Sequence, residues 1–140
     1  MIVFCITILE MQLLIIDGSI EVTRRLEEML SEINVVTAIH TSVSYETGLK
    51  SFIEKNPAVV LLDICLPEYK SLQLLRDMKA VENKTCFIVL SDSTTDYRND
   101  MYKLMGADYF LAKYHDFEKI PAVINAISSN RQLSNNEQAA

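Results

Sequence analysis

The chain is sparing with the residues that mark several protein classes. Its three cysteines, Cys5, Cys65 and Cys86, form neither a CxxC pair nor a Cys/His metal spacing. Each lies in an apolar run, which points to buried, reduced thiols and a cytoplasmic setting. Two histidines, His40 and His115, stand isolated and without ligand spacing. Basic residues number 13 against 19 acidic ones, a net charge of −6 with no dense basic stripe. Recognition of nucleic acid through its phosphates is therefore not expected, although a small basic face for a protein partner is compatible with the composition. A Walker phosphate loop is missing, and so are an internal repeat, a long linker and a second domain.

Hydrophobic runs of membrane length are missing too. MIVFCITILE opens apolar, but Glu10 ends the run, and Met11–Ile16 beyond it is too short to complete a span. A basic start and a small-residue cleavage site, which a signal peptide would need, are both absent. Residues 1–10 read either as an extra first strand or as a mis-called start, with Met11 the natural beginning. The second is preferred, because MQLLIIDGS is a complete strand opening by itself. The segment is then a dispensable, exposed apolar extension.

What is present fits one ordinary globular domain: 140 residues, 49% hydrophobic and 23% charged. Short apolar runs alternate with amphipathic stretches. The spacing predicts strands at Gln12–Ile16, Val35–Thr41, Ala58–Leu62, Cys86–Leu90 and Tyr109–Ala112. Four are nearly continuous in apolar or aromatic residues, as parallel strands covered on both faces are. VVTAIHT is mixed in polarity and suits an edge. Helical stripes run through Val22, Leu26, Met29, Leu30 and Ile33, with Ser19 as N-cap, and through Tyr45, Leu49, Phe52 and Ile53. Others run through Leu74, Leu75, Met78 and Val81, through Tyr97, Met101, Leu104 and Met105, and through Phe117, Ile120, Ile124 and Ile127. Pro121 fits only a first turn, so the last helix starts near Asp116–Ile120. Gly106 sits where the fourth helix should stop. Residues 11–130 thus form βα units about 22 to 28 residues apart, and 131–140 a polar, frayed tail. The expected fold is α/β, an open doubly wound, five-stranded parallel sheet with two helices on one face and three on the other.

In such a sheet the functional crevice lies at the carboxyl ends of the strands. The polar residues that follow the apolar runs there are Asp17, Asp63, Ser91 and Lys113. Two converging carboxylates repel one another, and a hard divalent cation, Mg²⁺ above all, relieves that repulsion. A carboxylate beside such a metal can act as a nucleophile toward phosphorus. Metal and lysine then offset charge on the phosphoryl oxygens, and the hydroxyl hydrogen-bonds them afterwards.

These motifs resemble the receiver domains of response regulators in two-component signalling. LLIIDGS looks like the acidic first-strand motif, and VVLLDICLP the phosphoacceptor strand with its proline four residues on. FIVLS looks like the switch-hydroxyl strand, and GADYFLAK the motif that ends in lysine. The resemblance covers roughly Met11 to Asn130, with the four motifs in order and register. It implies the flavodoxin-like strand order 2-1-3-4-5. It makes Asp63 the phosphoacceptor, and Asp17, Asp63 and the Cys65 backbone carbonyl the Mg²⁺ ligands. Ser91 becomes the phosphate-sensing hydroxyl, Lys113 the phosphate-binding cation and Phe110 the aromatic of the switch. Partners implied are a histidine kinase or histidine phosphotransfer protein upstream and an unnamed protein downstream, with a homodimer left open. No output domain follows, so the signal is expected to pass by contact or by phosphorelay.

Departures from the family pattern are as informative. Gly18 stands where a second acidic residue usually contacts the metal, so a weakened Mg²⁺ site is expected. Asp92 follows the switch hydroxyl where a small residue is usual, and adds bulk and charge in the path of a phosphodonor. Tyr114 replaces the proline after the lysine, and Lys70-Ser71 replaces an acidic-glycine pair. Each site residue also has a plainer role open to it. Asp63 can be a strand-end cap, Lys113 a solvated loop residue and Ser91 turn chemistry. Asp17 can be a mere holder of Lys113, Phe110 plain core, and Cys65 a buried thiol. Catalysis would amount at most to Mg²⁺-dependent self-phosphorylation and dephosphorylation. The alternative is a pseudo-receiver, an interaction module with weak or no phosphorylation. Other doubly wound enzymes fit worse. Asp-Gly-Ser-Ile is too short for a flavodoxin phosphate loop, and Cys65 stands where a haloacid-dehalogenase-type phosphatase needs its second aspartate.

Overall fold

The computed structural model describes residues 10–66, 70–92 and 99–139, with side chains through Leu133. The strands are β1 (Met11–Ile16), β2 (Val36–Ser42), β3 (Val59–Asp63), β4 (Cys86–Ser91) and β5 (Tyr109–Ala112). The helices are α1 (Ile20–Leu30), α2 (Tyr45–Lys55), α3 (Ser71–Val81), α4 (Asn99–Leu104) and α5 (Ile120–Ala139), the last preceded by a 3₁₀ turn at Phe117–Lys119. All strand pairs are parallel, in the order β2-β1-β3-β4-β5. This is the doubly wound fold that the alternation predicts.

Alternate residues of each inner strand serve opposite faces. Leu13, Ile15, Val59, Leu61, Ile88 and Leu90 meet Val22, Leu26 and Leu30 of α1 and Ile120, Ile124 and Ile127 of α5. Leu14, Ile16, Val60, Leu62, Phe87 and Val89 meet Phe52 of α2, Leu74, Leu75 and Met78 of α3, and Tyr102 of α4. Each fully buried side chain of this size contributes roughly 1.5–3 kcal/mol. Two apolar layers on one sheet therefore hold the strand ends, and whatever stands on them, in fixed relation.

Local signals explain most helix ends. Ser19 Oγ accepts the Val22 N–H at 3.3 Å, and Ser44 Oγ that of Thr47 at the same distance. Gly106, at φ 99°, stops the chain just past α4, a conformation a side chain would resist.

Four expectations need correction. Leu104 and Met101 face solvent, and the buried side chain of α4 is Tyr102; Tyr97 lies outside the described residues. A six-residue helix shows too narrow a stripe for spacing alone to choose its face. Ile53 and Val81, at the ends of their stripes, are exposed as well. Cys65 is exposed, because the apolar run it continues ends at the sheet edge, whereas Cys86 is half-buried. Finally, α5 runs through Ala139, into residues 131–140 read as a frayed tail. Past Pro121 the sequence holds no glycine or proline to end the helix, and Arg131 Nη1 anchors it to the Ala58 carbonyl at 3.2 Å. The apolar opening, residues 1–9, and Pro67 lie outside the described residues.

Candidate functional site at the carboxyl ends of the strands

Asp63 is the last residue of β3 and Ser91 the last of β4, each one residue further into its strand than the pattern suggested. Asp17 follows β1 and Lys113 follows β5. All four are buried, with exposures of 0% for Asp17, 4% for Asp63, 2% for Ser91 and 6% for Lys113. Ionisable groups are seldom so buried unless they face one another. Here they do. Lys113 Nζ lies 2.6 Å from Asp17 Oδ2 and 3.3 Å from Asp63 Oδ2.

Hydrogen bonds aim these groups. Asp17 N–H donates to the Ser42 carbonyl at 3.0 Å, and Asp17 Oδ1 accepts from the Ser19 N–H at 2.8 Å. Asp63 Oδ1 accepts from the Cys65 N–H at 3.0 Å. Lys113 N–H donates to the Ser91 carbonyl at 2.6 Å, which ties the lysine to the residue that carries the hydroxyl. Asp17 Oδ2, among the described residues, has the Lys113 ammonium as its charged neighbour at 2.6 Å.

Electrostatics follow from that arrangement. Burial raises the pKa of Asp63, and the charge of Asp17 adds to the rise. The Cys65 N–H and the Lys113 charge oppose it without cancelling it. For Lys113, burial works against the charge, but the Asp17 contact and the Asp63 charge prevail, and its pKa is raised. Two carboxylates share one ammonium, so the buried group is one positive charge short.

The donor set bears on a metal. Asp17 and Asp63 supply carboxylate oxygen, the donor type that suits a hard cation. Among the described residues no group of three His, Cys, Asp or Glu side chains converges to hold one. The chemistry fits Mg²⁺, with few charged ligands to spare.

Two features extend the site. Cys65 Sγ lies 3.8 Å from Asp92 Oδ2, so the carboxylate that follows β4 leans over the residue whose N–H holds Asp63. Asp116, assigned in the sequence only to the start of the last helix, closes the loop that carries Lys113. Its Oδ2 accepts the Ala112 N–H at 2.8 Å, its own N–H returns to the Ala112 carbonyl at 2.8 Å, and Oδ1 meets Lys119 at 2.9 Å and His115 at 3.1 Å. A signal was available: an aspartate three residues past a strand-end lysine, with a second lysine at i+3. Phe110 on β5 is half-buried against the layer under α2, α3 and α4.

Comparison with known proteins bears on the family and the fold. The family model of the response regulator receiver domain matches residues 13–125. A protein-glutamate methylesterase/protein-glutamine glutaminase from Koribacter versatilis is 30% identical over 104 residues, 73% of this chain and 28% of that protein. The probable C4-dicarboxylate response regulator DctR of Bacillus subtilis is 28% identical over 138 residues, 89% of this chain and 60% of that one. The chain thus spans less than two thirds of the length of these curated relatives. In fold it matches a CheY-like receiver domain protein from Methanospirillum hungatei with a TM-score of 0.79 at 17% identity, covering 89% of this chain and 98% of that one. With the family model matched over most of its length, the chain belongs to the response regulator receiver domain family.

Proposed function

We propose that Asp63 accepts a phosphoryl group from the phosphohistidine of a histidine kinase or phosphotransfer protein, and that the phosphorylated domain signals by protein contact in the cytoplasm. The observation that carries this is the buried convergence of Asp17, Asp63 and Lys113. Such an arrangement is costly for stability alone and apt for phosphoryl transfer. In the step, an Asp63 carboxylate oxygen forms a bond to phosphorus as the phosphorus–nitrogen bond to the donor imidazole breaks, and the electron pair stays on that nitrogen. Lys113 neutralises charge on the phosphoryl oxygens, and the Ser91 hydroxyl hydrogen-bonds them afterwards. Asp17, Asp63 and the Cys65 carbonyl would hold Mg²⁺, which when bound supplies further positive charge at those oxygens. The nucleophile must be ionised.

A second reading, an interaction module that has lost phosphorylation, draws on one observation. Asp92 Oδ2 lies 3.8 Å from Cys65 Sγ, which sets a carboxylate beside the residue whose N–H holds Asp63. The test separates the two. With acetyl phosphate and Mg²⁺, intact mass should show one phosphoryl group on the parent chain and none on Asp63→Asn. Beryllofluoride with Mg²⁺ should shift the amides of Asp63, Ser91 and Lys113. Neither mass gain nor amide shifts would overturn phosphotransfer and leave the interaction module.

A further inference from the structure

Ser71 stands where the chain departs from the family pattern, and its hydroxyl serves an unusual end. The residue opens α3, yet the cap at Lys70 makes no side-chain hydrogen bond. Rather than serve the helix N–H groups, Ser71 Oγ donates to the main-chain carbonyl of Asp63 at 2.6 Å. Ser71 is wholly buried, so water cannot stand in for this donor. The bond closes the connection that contains Cys65, and it joins the first residue of α3 to the last residue of β3.

Asp63 is held at neighbouring points as well. Ile64 N–H donates to the Leu90 carbonyl at 3.0 Å, and Cys65 N–H holds Oδ1. The Cys65 bond acts on the side chain, and the Ile64 bond holds the N–H edge of the peptide plane that carries the Asp63 carbonyl. The Ser71 bond holds the carbonyl edge of that same plane, so the two bonds together set its tilt. Tilt of that plane swings the carboxylate, and a misplacement of about 1 Å at a reacting group costs on the order of 100-fold in rate.

We propose that Ser71 is a positioning residue for Asp63, fixing the strand-end peptide from which the carboxylate projects. It touches neither donor nor reacting oxygen and acts through the backbone. The inference rests on Asp63 being the phosphoacceptor.

The experiment uses the full chain with acetyl phosphate and Mg²⁺. Ser71→Ala and Ser71→Gly remove the hydroxyl by two routes, one of which keeps the helix start if the other weakens it. Ile127→Val, in buried α5 packing, controls for plain loss of stability, and all chains are compared equally far below their melting midpoints. Both Ser71 variants should lose about tenfold or more in rate at saturating donor, with the half-saturating donor concentration changed less than about twofold. The Ile64 amide should exchange about tenfold faster in both, and Ile127→Val should keep the parent rate within about twofold. Ser71 variants that transfer at the parent rate would overturn the proposal, whatever Ile64 does. So would a rate loss matched by Ile127→Val. A parent chain that takes no phosphoryl group removes the acceptor role of Asp63 and this inference with it. That failure is distinct from variants that match an active parent.

Discussion

Asp17 has glycine as its neighbour, where the proposed metal pocket would gain a further acid from a single substitution. Backbone strain does not reserve the place for glycine. Positive φ among the described residues falls at Asn56 and Gly106, not at Gly18. An aspartate there would add a further carboxylate to the oxygen donors offered to the cation. Allowing for the repulsion between the added acid and its neighbours, Gly18→Asp should bind Mg²⁺ about tenfold more tightly than the parent. Gly18→Asn supplies similar bulk without charge and serves as the control. A titration in which the two variants bind alike would show that this pocket is not a metal site. The cysteines offer a second prediction at this scale. Burial, aided by the charge of Asp108, pushes the Cys86 thiol up to about 12, so it stays protonated and unreactive. Exposed Cys65 should take an alkylating reagent at pH about 8 while Cys86 stays free, as peptide mass mapping can show. Equal labelling would mean that the end of β4 opens to solvent.

Among the elements, the loop from β5 to α5 depends on one carboxylate. The Ala112 N–H, then Lys119 and His115, hold the pKa of Asp116 below the ordinary aspartate range. A depressed pKa means that the folded state favours the charged form. Its stabilisation is present above the unfolded pKa, about 3.9, and is lost as pH falls through the folded value. Urea melts of Asp116→Asn should therefore show less loss of stability on acidification below about pH 4 than the parent chain. Parallel curves would mean that the charge of Asp116 does not hold the loop. Asp63 titrates in the opposite sense, since its raised pKa makes protonation favour the fold.

The same elements show what the sequence made legible. The strand runs and the strand-end places of Asp17, Asp63, Ser91 and Lys113 could be read, because apolar runs covered on both faces end abruptly in polar residues, whereas the sheet order followed from the resemblance of the four motifs. The face of α4 could not, since Met101 and Tyr102 differ by one residue and only the packed neighbours choose between them. Nor could the length of α5, whose polar residues beyond Arg131 show no stripe. The hydroxyl of Ser71 reached Asp63 through a fold-dependent turn that no local spacing describes. Asp116 was hidden for a related reason, because its partner Ala112 precedes it by a loop closure rather than a helix turn.

For the whole molecule, the proposed Mg²⁺ site would link metal to stability. A ligand that binds only the folded state stabilises it by about 1.4 kcal/mol at ten times its dissociation constant. Added Mg²⁺ should thus raise the melting temperature of the parent chain by several degrees, and Asp17→Asn should abolish the rise. A melting temperature indifferent to Mg²⁺ in both chains would leave Lys113 as the sole counter-charge of the two acids.

The alternation of β3 between the two apolar layers carries a consequence of parity. Val59 and Leu61 face one layer, Val60 and Leu62 the other, and Asp63 continues the count to the strand end. An insertion of one residue in β3 would exchange the two sets and turn the carboxylate to the opposite side of the sheet. Removal of two would instead keep the sides but draw the acceptor back by about 6.6 Å, out of reach of Lys113. The number of residues between the start of β3 and its carboxylate is therefore fixed, whereas their apolar identities can be exchanged among residues of similar size.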